Sequence, residues 1–261
     1  MKWEAFLFND ELELLEARFR ETADVVDGYV LVESAKTFTG DSKPLHYAEN
    51  IGRFEPWNHK VHHVVADLPI SDGAWACERA QRDAVHRVID QLDGNDLVAL
   101  CDGDELLSRT FWEGVDDLGR ENETFVLPMQ QYYFTLSWST PLGPPPNGGL
   151  MCRSRIARRR VVSQASAWAD AIYPHQLMDS GWHLSCLGGP ERLCRKLRSF
   201  SHTELSDRSW ANVDNCARLI RQGIDIDPNR RWRLFKTEPT GPAWLLGEGV
   251  ERWPWLLTGG V

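Results

Sequence analysis

The chain lacks any bilayer-length apolar run. Its apolar stretches break early, as at Asp27-Gly28 after Val25-Val26, far short of the roughly 20 residues of a spanning helix. The first ten residues carry Glu4 and Asp10 and no extended apolar segment, so no secretory signal is read there. Cysteine supplies no framework. Cys77, Cys101, Cys152, Cys186, Cys194 and Cys216 show neither close metal-ligand pairing nor dense disulfide spacing. They are read as reduced, mostly buried thiols of a cytoplasmic protein, with membrane association at the inner face left open. Positive charge is also scarce. A net charge of −9 repels backbone phosphates and argues against generic nucleic-acid binding. The one basic run, Arg153, Arg155, Arg158, Arg159 and Arg160, reads as a solvated face, with an anionic acceptor or a membrane surface as the alternative. Internal repeats, low-complexity tracts and a clear domain boundary are missing too. The 261 residues are read as a single domain.

What is present is more specific. Leu97-Val98-Ala99-Leu100-Cys101 is an apolar strand that ends in Asp102-Gly103-Asp104-Glu105. The C-terminal edge of an open α/β sheet is where ligands bind. Two carboxylates one residue apart on extended backbone point the same way, and a hard divalent cation prefers such oxygen ligands. Twelve tryptophans add a second signal. Most should be core, but aromatic faces also suit the C–H faces of sugars.

The pattern along the chain predicts strands at Lys2–Phe8, Tyr29–Glu33, Val61–Leu68 and Leu97–Cys101. Asp10 and Glu13 read as a capping box, followed by a helix with Leu12, Leu15 and Phe19 on one face. A second helix is predicted over residues 74–92. The order implies an α/β fold with a mostly parallel central sheet and helices on both faces. Residues 123–138 read as one long or two short strands, and Leu150–Arg160 and Gly181–Ser185 as further ones. Helices are expected from Pro190 to Leu197 and from Trp210 to Arg221, with a Trp-rich tail wrapping the domain.

Several of these segments form an ordered set: Phe8-Asn9-Asp10-Glu11, Val32-Glu33-Ser34, Thr37-Phe38-Thr39-Gly40, Glu78 with Gln81-Arg82-Asp83, Asp102-Gly103-Asp104-Glu105, Gly181-Trp182-His183-Leu184-Ser185, and Ala243-Trp244-Leu245-Leu246 with Glu251-Arg252-Trp253-Pro254-Trp255. The set resembles glycosyltransferase family 17 over nearly the whole chain. Its best-known members add a bisecting GlcNAc to N-glycans. The resemblance implies a GT-A-like, nucleotide-diphospho-sugar transferase fold, a UDP-sugar donor (UDP-GlcNAc first), a Mn²⁺ or Mg²⁺ requirement and inversion at the anomeric carbon. The animal enzymes carry a membrane anchor and stem that this sequence lacks. A glycan or glycolipid is therefore a better-fitting acceptor than a glycoprotein.

Three regions follow: residues 1–105 for the nucleotide sugar, 106–205 for the acceptor, and 206–261 as a C-terminal helix and tail. The resemblance makes Asp104 the primary metal ligand and places Asp102 on ribose or metal-bound water. A cap for the helix near Ser108 is the plainer alternative for these acids. His183 and then His202 are the candidates to complete the metal site. Arg82 and Arg79 are candidate diphosphate contacts, with pairing to Glu78 or Asp83 as the alternative. Phe8, Asn9 and Glu33 are expected near the base and ribose. Inversion needs a base for the acceptor hydroxyl, with Asp179 first and Glu191 second. Glu105, Tyr132, Tyr133, Trp138 and Trp182 are candidate acceptor contacts, with core packing as the alternative for the aromatics. A metal-dependent sugar nucleotidyltransferase should carry a Gly-rich basic loop after the first strand, which Phe8-Asn9-Asp10-Glu11 does not provide. An inactive carbohydrate-binding module would have no use for the aspartate pair.

Overall fold

The computed structural model describes residues 1–115, 124–140, 154–162, 180–207, 210–227 and 233–261. Its centre is a six-stranded sheet of β1 (Lys2–Leu7), β2 (Gly28–Glu33), β3 (Val61–Val65), β4 (Leu97–Cys101), β6 (Phe125–Val126) and β9 (Arg155–Arg158), in the order β3-β2-β1-β4-β9-β6. The first four strands run parallel, β9 is antiparallel to β4, and β6 is antiparallel to β9. The α/β class with a mostly parallel sheet is the one expected from the sequence.

Side-chain alternation explains how the sheet is covered on both faces. Phe6, Tyr29, Leu31, Leu97, Ala99 and Cys101 point to one side and pack with Leu15 and Phe19 of the helix Leu12–Thr22. Ala5, Val30, Val32, Val98 and Leu100 point to the other and meet Ala84, Val85 and Ile89. The helix expected over residues 74–92 is two helices, Ala74–Asp83 and His86–Ile89, joined at Ala84-Val85. The third strand stops at Val65, short of the expected Leu68.

The capping box is not formed. Glu11 holds the N-cap position without a side-chain cap. Its Oε2 accepts the Asn9 and Asp10 N–H groups instead, and Glu13 Oε2 accepts from Arg192 at 3.0 Å. The two acids of the expected box, Asp10 and Glu13, are engaged instead by Arg192, at 3.6 and 3.0 Å.

A second sheet continues from the first. β5 (Glu105–Leu107) pairs antiparallel with β10 (Gly181–Ser185), and β10 pairs parallel with β7 (Gln130–Tyr133). Two short strands, β8 (Trp138–Ser139) and β11 (Phe235–Lys236), form an antiparallel ribbon. The helices Gly189–Ser199 and Val213–Gln222 pack together through Leu193, Cys194, Leu197, Cys216, Leu219 and Ile220. In the tail, Trp244, Trp253 and Trp255 close over a cluster that includes Leu14, Leu106 and Leu184. Among the described residues, no helix is long and apolar enough to cross a membrane.

Candidate active site

The first sheet hands over to the second at Asp102-Gly103-Asp104. β4 ends at Cys101 and β5 begins at Glu105, so the aspartates lie on a turn rather than on extended backbone. They are brought together by that turn, and both face one cavity of about 560 Å³. Gly103 is required by closeness. A Cβ there would lie 2.7 Å from the carbonyl oxygen of Leu7 at the end of β1.

The turn is fixed from behind. Arg18, on the helix Leu12–Thr22, donates to Glu4 Oε2 at 2.7 Å. Its other arm donates to the carbonyls of Asp102, Gly103 and Glu105 at 3.0, 3.4 and 2.7 Å. Trp112 Nε1 donates to the second oxygen of Glu4 at 2.7 Å. Glu105 is buried in the same layer, where its Oε2 accepts from Asp102 N–H at 3.0 Å and Ser154 Oγ at 2.8 Å. Burial, and then the nearby Asp102 charge, hold its carboxyl above the usual range.

In front, cationic side chains meet the turn. Arg82 Nη2 lies 2.7 Å from Asp102 Oδ1 and 3.1 Å from Glu78 Oε1. Glu78 in turn accepts from Ser201 Oγ. Lys196, on the helix Gly189–Ser199, places Nζ 2.8 Å from Asp104 Oδ2. His183 Nε2 is 3.6 Å from the other oxygen. Burial alone would raise the Asp104 carboxyl, but Lys196 and His183 outweigh it and lower it to about 2. Lys43 also lines the cavity; among the described residues its buried Nζ has no hydrogen-bond partner, and burial lowers its ordinary pKa.

A divalent cation on this wall would be held by Asp102 and Asp104. Six carboxylates and four lysine or arginine side chains line the cavity, so it is short of positive charge before any phosphate enters. His183 Nδ1 is buried without a hydrogen-bond partner among the described residues. Among the described residues no group of three histidine, cysteine or acidic side chains is disposed to hold a metal. The protein's share would be the two aspartates, with phosphate oxygens completing the shell, the usual arrangement for Mg²⁺.

The expected site residues divide. Phe8, Asn9, Arg82, Asp102, Asp104, Tyr133, His183 and His202 line the cavity. His202 Nδ1 is 2.7 Å from Glu204 Oε1, and its ring meets Trp75 edge-on. Arg79 is exposed on the outer face of its helix. Glu33 is fully buried and accepts from the N–H groups of Tyr47 and Ala48, with His63 2.8 Å away, so its position is structural. Glu105 lies behind the turn, out of an acceptor's reach. Tyr132 is in the core with its hydroxyl 2.7 Å from Thr240 Oγ1. Trp138 lies under Lys236 at 3.8 Å, and Trp182 packs against the tail cluster. Glu191 is exposed on the first turn of its helix, away from the cavity lining. Asp179 lies outside the described residues, as does Arg153 of the basic run. Arg155, Arg158 and Arg159 donate to nearby carbonyls, and Arg160 donates to the Asn95 side chain. The structure adds Arg18, Lys43, Glu78 and Lys196, none of which the aspartate motif announces.

The sequence profile of Glycosyltransferase family 17 matches residues 2–228. A Rattus norvegicus relative named beta-1,4-mannosyl-glycoprotein 4-beta-N-acetylglucosaminyltransferase is 32% identical over 150 residues, which are 52% of this chain and 27% of that one. The Homo sapiens protein of the same name is 32% identical over 146 residues, 51% and 27% of the two chains. The match thus spans about a quarter of these curated relatives. Among solved structures, S. aureus TarS 1-349 aligns with a TM-score of 0.40 at 14% identity, over 83% of this chain and 69% of that one. A 2-C-methyl-D-erythritol 4-phosphate cytidylyltransferase of Francisella tularensis aligns with a TM-score of 0.37 at 11% identity, over 68% and 93%. Both likenesses are distant. With the profile covering most of its length, the chain belongs to glycosyltransferase family 17.

Proposed function

We propose that the chain transfers a sugar, GlcNAc, from UDP-GlcNAc to a hydroxyl of a glycan or glycolipid, with inversion at the anomeric carbon and with Mn²⁺ or Mg²⁺ bound. The observation that carries this reading is the Asp102-Gly103-Asp104 turn facing a nucleotide-sized cavity with Arg82 and Lys196 beside it. Phe8 and Asn9, at the end of β1, bind the nucleoside end of the donor. Arg82 and Lys196 offset the charge that builds on the departing diphosphate, an electrostatic stabilisation of the transition state. Asp102 and Asp104 would hold the divalent cation, which when bound would supply Lewis-acid neutralisation of that same charge. Tyr133 borders the sugar end of the cavity. Asp179 takes the proton from the attacking hydroxyl. The exposed position of Glu191 removes support for it as the base. The protein works in the cytoplasm, at the inner membrane face where the acceptor is a glycolipid.

The test is release of UDP from a panel of UDP-sugars with and without Mn²⁺, comparing wild type with Asp104→Ala. Wild type should hydrolyse UDP-GlcNAc fastest and only with metal. The variant should fall by ~100-fold or more while still melting cooperatively. Undiminished turnover by the variant, or no UDP binding by wild type, overturns the proposal.

A further inference from the structure

Lys196 is 92 residues from Asp104 in sequence, yet it makes the shorter of the two contacts to that carboxylate. Its Nζ is 2.8 Å from Oδ2, against 3.6 Å from His183 Nε2 to Oδ1. The helix that carries it is anchored. Leu193, Cys194 and Leu197 are in the core, and the carbonyls of Ser199 and Arg198 accept from Phe38 N–H and Thr39 Oγ1. The side chain itself is 30% exposed and borders the cavity. A lysine ammonium is a point charge on a flexible stem, so it can travel within the cavity while its helix stays fixed. Arg82 differs. It holds Glu78 as well as Asp102, and a planar guanidinium tied at two carboxylates has little reason to move.

An ammonium on Asp104 repels a divalent cation from the same carboxylate. A diphosphate removes that conflict, because its oxygens can take both the ammonium and the metal. We propose that Lys196 holds Asp104 in the empty protein in competition with a divalent cation, and passes to a phosphate oxygen when a nucleoside diphosphate enters. The inference rests on the nucleotide-sugar reading of the cavity. It makes Lys196 a diphosphate contact that also couples metal binding to donor binding, and such coupling is reciprocal.

The experiment is calorimetric titration of wild type, Lys196→Met and Lys196→Arg, first with Mn²⁺ alone and then with UDP in the absence and presence of Mn²⁺. Lys196→Met should bind Mn²⁺ alone ~10-fold or more tightly than wild type, and UDP with Mn²⁺ ~10-fold less tightly. Lys196→Arg, which keeps the charge, should resemble wild type towards Mn²⁺ alone. Adding Asp104→Asn to Lys196→Met should abolish the gain. A Lys196→Met protein that binds Mn²⁺ no more tightly than wild type overturns the inference, as does a wild-type Mn²⁺ affinity indifferent to UDP. Lys196→Gln serves if the methionine variant does not melt cooperatively. If no protein binds UDP but Lys196→Met still gains Mn²⁺ affinity, competition at Asp104 is supported, while the handover and the nucleotide-sugar reading are overturned.

Discussion

Two sets of ion pairs flank one turn, and they differ in what their remaining atoms touch. Behind it, Glu4 and Arg18 are 0% and 1% exposed. Both oxygens of Glu4 are bonded, and one arm of Arg18 is shared among three turn carbonyls. In front, Asp102 with Arg82 and Asp104 with Lys196 face a cavity. A buried pair that also bonds the turn's main chain and the Trp112 side chain holds geometry. A pair that opens on a cavity can exchange one partner for a ligand. The charge chemistry is the same on both sides; burial and the second set of hydrogen bonds decide which task each pair performs.

Breaking the rear pair should have the largest effect. Arg18→Met leaves Glu4 charged in the core with only Trp112 and strips three carbonyls of a donor. Removing one partner of such a pair costs about 3–5 kcal/mol. Urea unfolding should report that loss, and Glu4→Met/Arg18→Met should recover most of it because no lone charge remains. The double variant should still bind UDP poorly, since the turn has lost its anchor. A single-variant loss under about 1 kcal/mol, or full UDP affinity in the double variant, would erase the distinction between rear and front.

The same distinction explains what could be read in the sequence. β1, β2 and β4 were legible because apolar runs ending in polar signals fit a doubly covered sheet. The aspartate turn was legible because acids clustered at the end of an apolar strand stand out, although the third of them, Glu105, is buried behind the turn. Side-chain direction was not. Tyr132 and Tyr133 are neighbours on β7 and enter different core clusters, and composition cannot tell that Tyr133 is the one that also borders the cavity. Arg79 and Arg82 differ in the same way through helix phase: one is exposed and one is buried against Asp102. Glu33 ends a strand as a ligand-binding residue might, yet its oxygens serve the N–H groups of Tyr47 and Ala48. Lys196 has no local signature at all, because only the fold brings it to Asp104.

An intermediate effect is expected at Asp104 and can be read from acid unfolding. Its carboxyl is held at about 2, below the ordinary 3.8. The ionised form therefore contributes stability above about pH 4, and that contribution disappears as the pH falls through about 2. A shift of this size corresponds to about 2 kcal/mol. Asp104→Asn should lack that part of the acid-limb slope and be correspondingly less stable at neutral pH. An unchanged slope would mean that the front pair stores no folding energy and that Lys196 meets Asp104 only loosely.

The smallest effect should come from Lys43, and its sign is the informative part. This ammonium lines the cavity with no hydrogen-bond partner among the described residues, and burial lowers its pKa from the ordinary 10.5. A lowered lysine pKa means the folded protein binds that proton less well than the unfolded chain. The group then costs stability at neutral pH, and the cost is relieved as the pH rises through the folded-state value. Lys43→Met should therefore match or exceed wild-type stability at pH 7, by up to ~1 kcal/mol, with the advantage vanishing in alkaline solution. UDP affinity should drop in the same variant, since an unpaired cation kept at a cost to folding suits an anion that arrives later. A stability loss at pH 7 would instead group Lys43 with Arg18, among the charges that hold the fold, and the contrast between the two sides of the turn would fail at that residue.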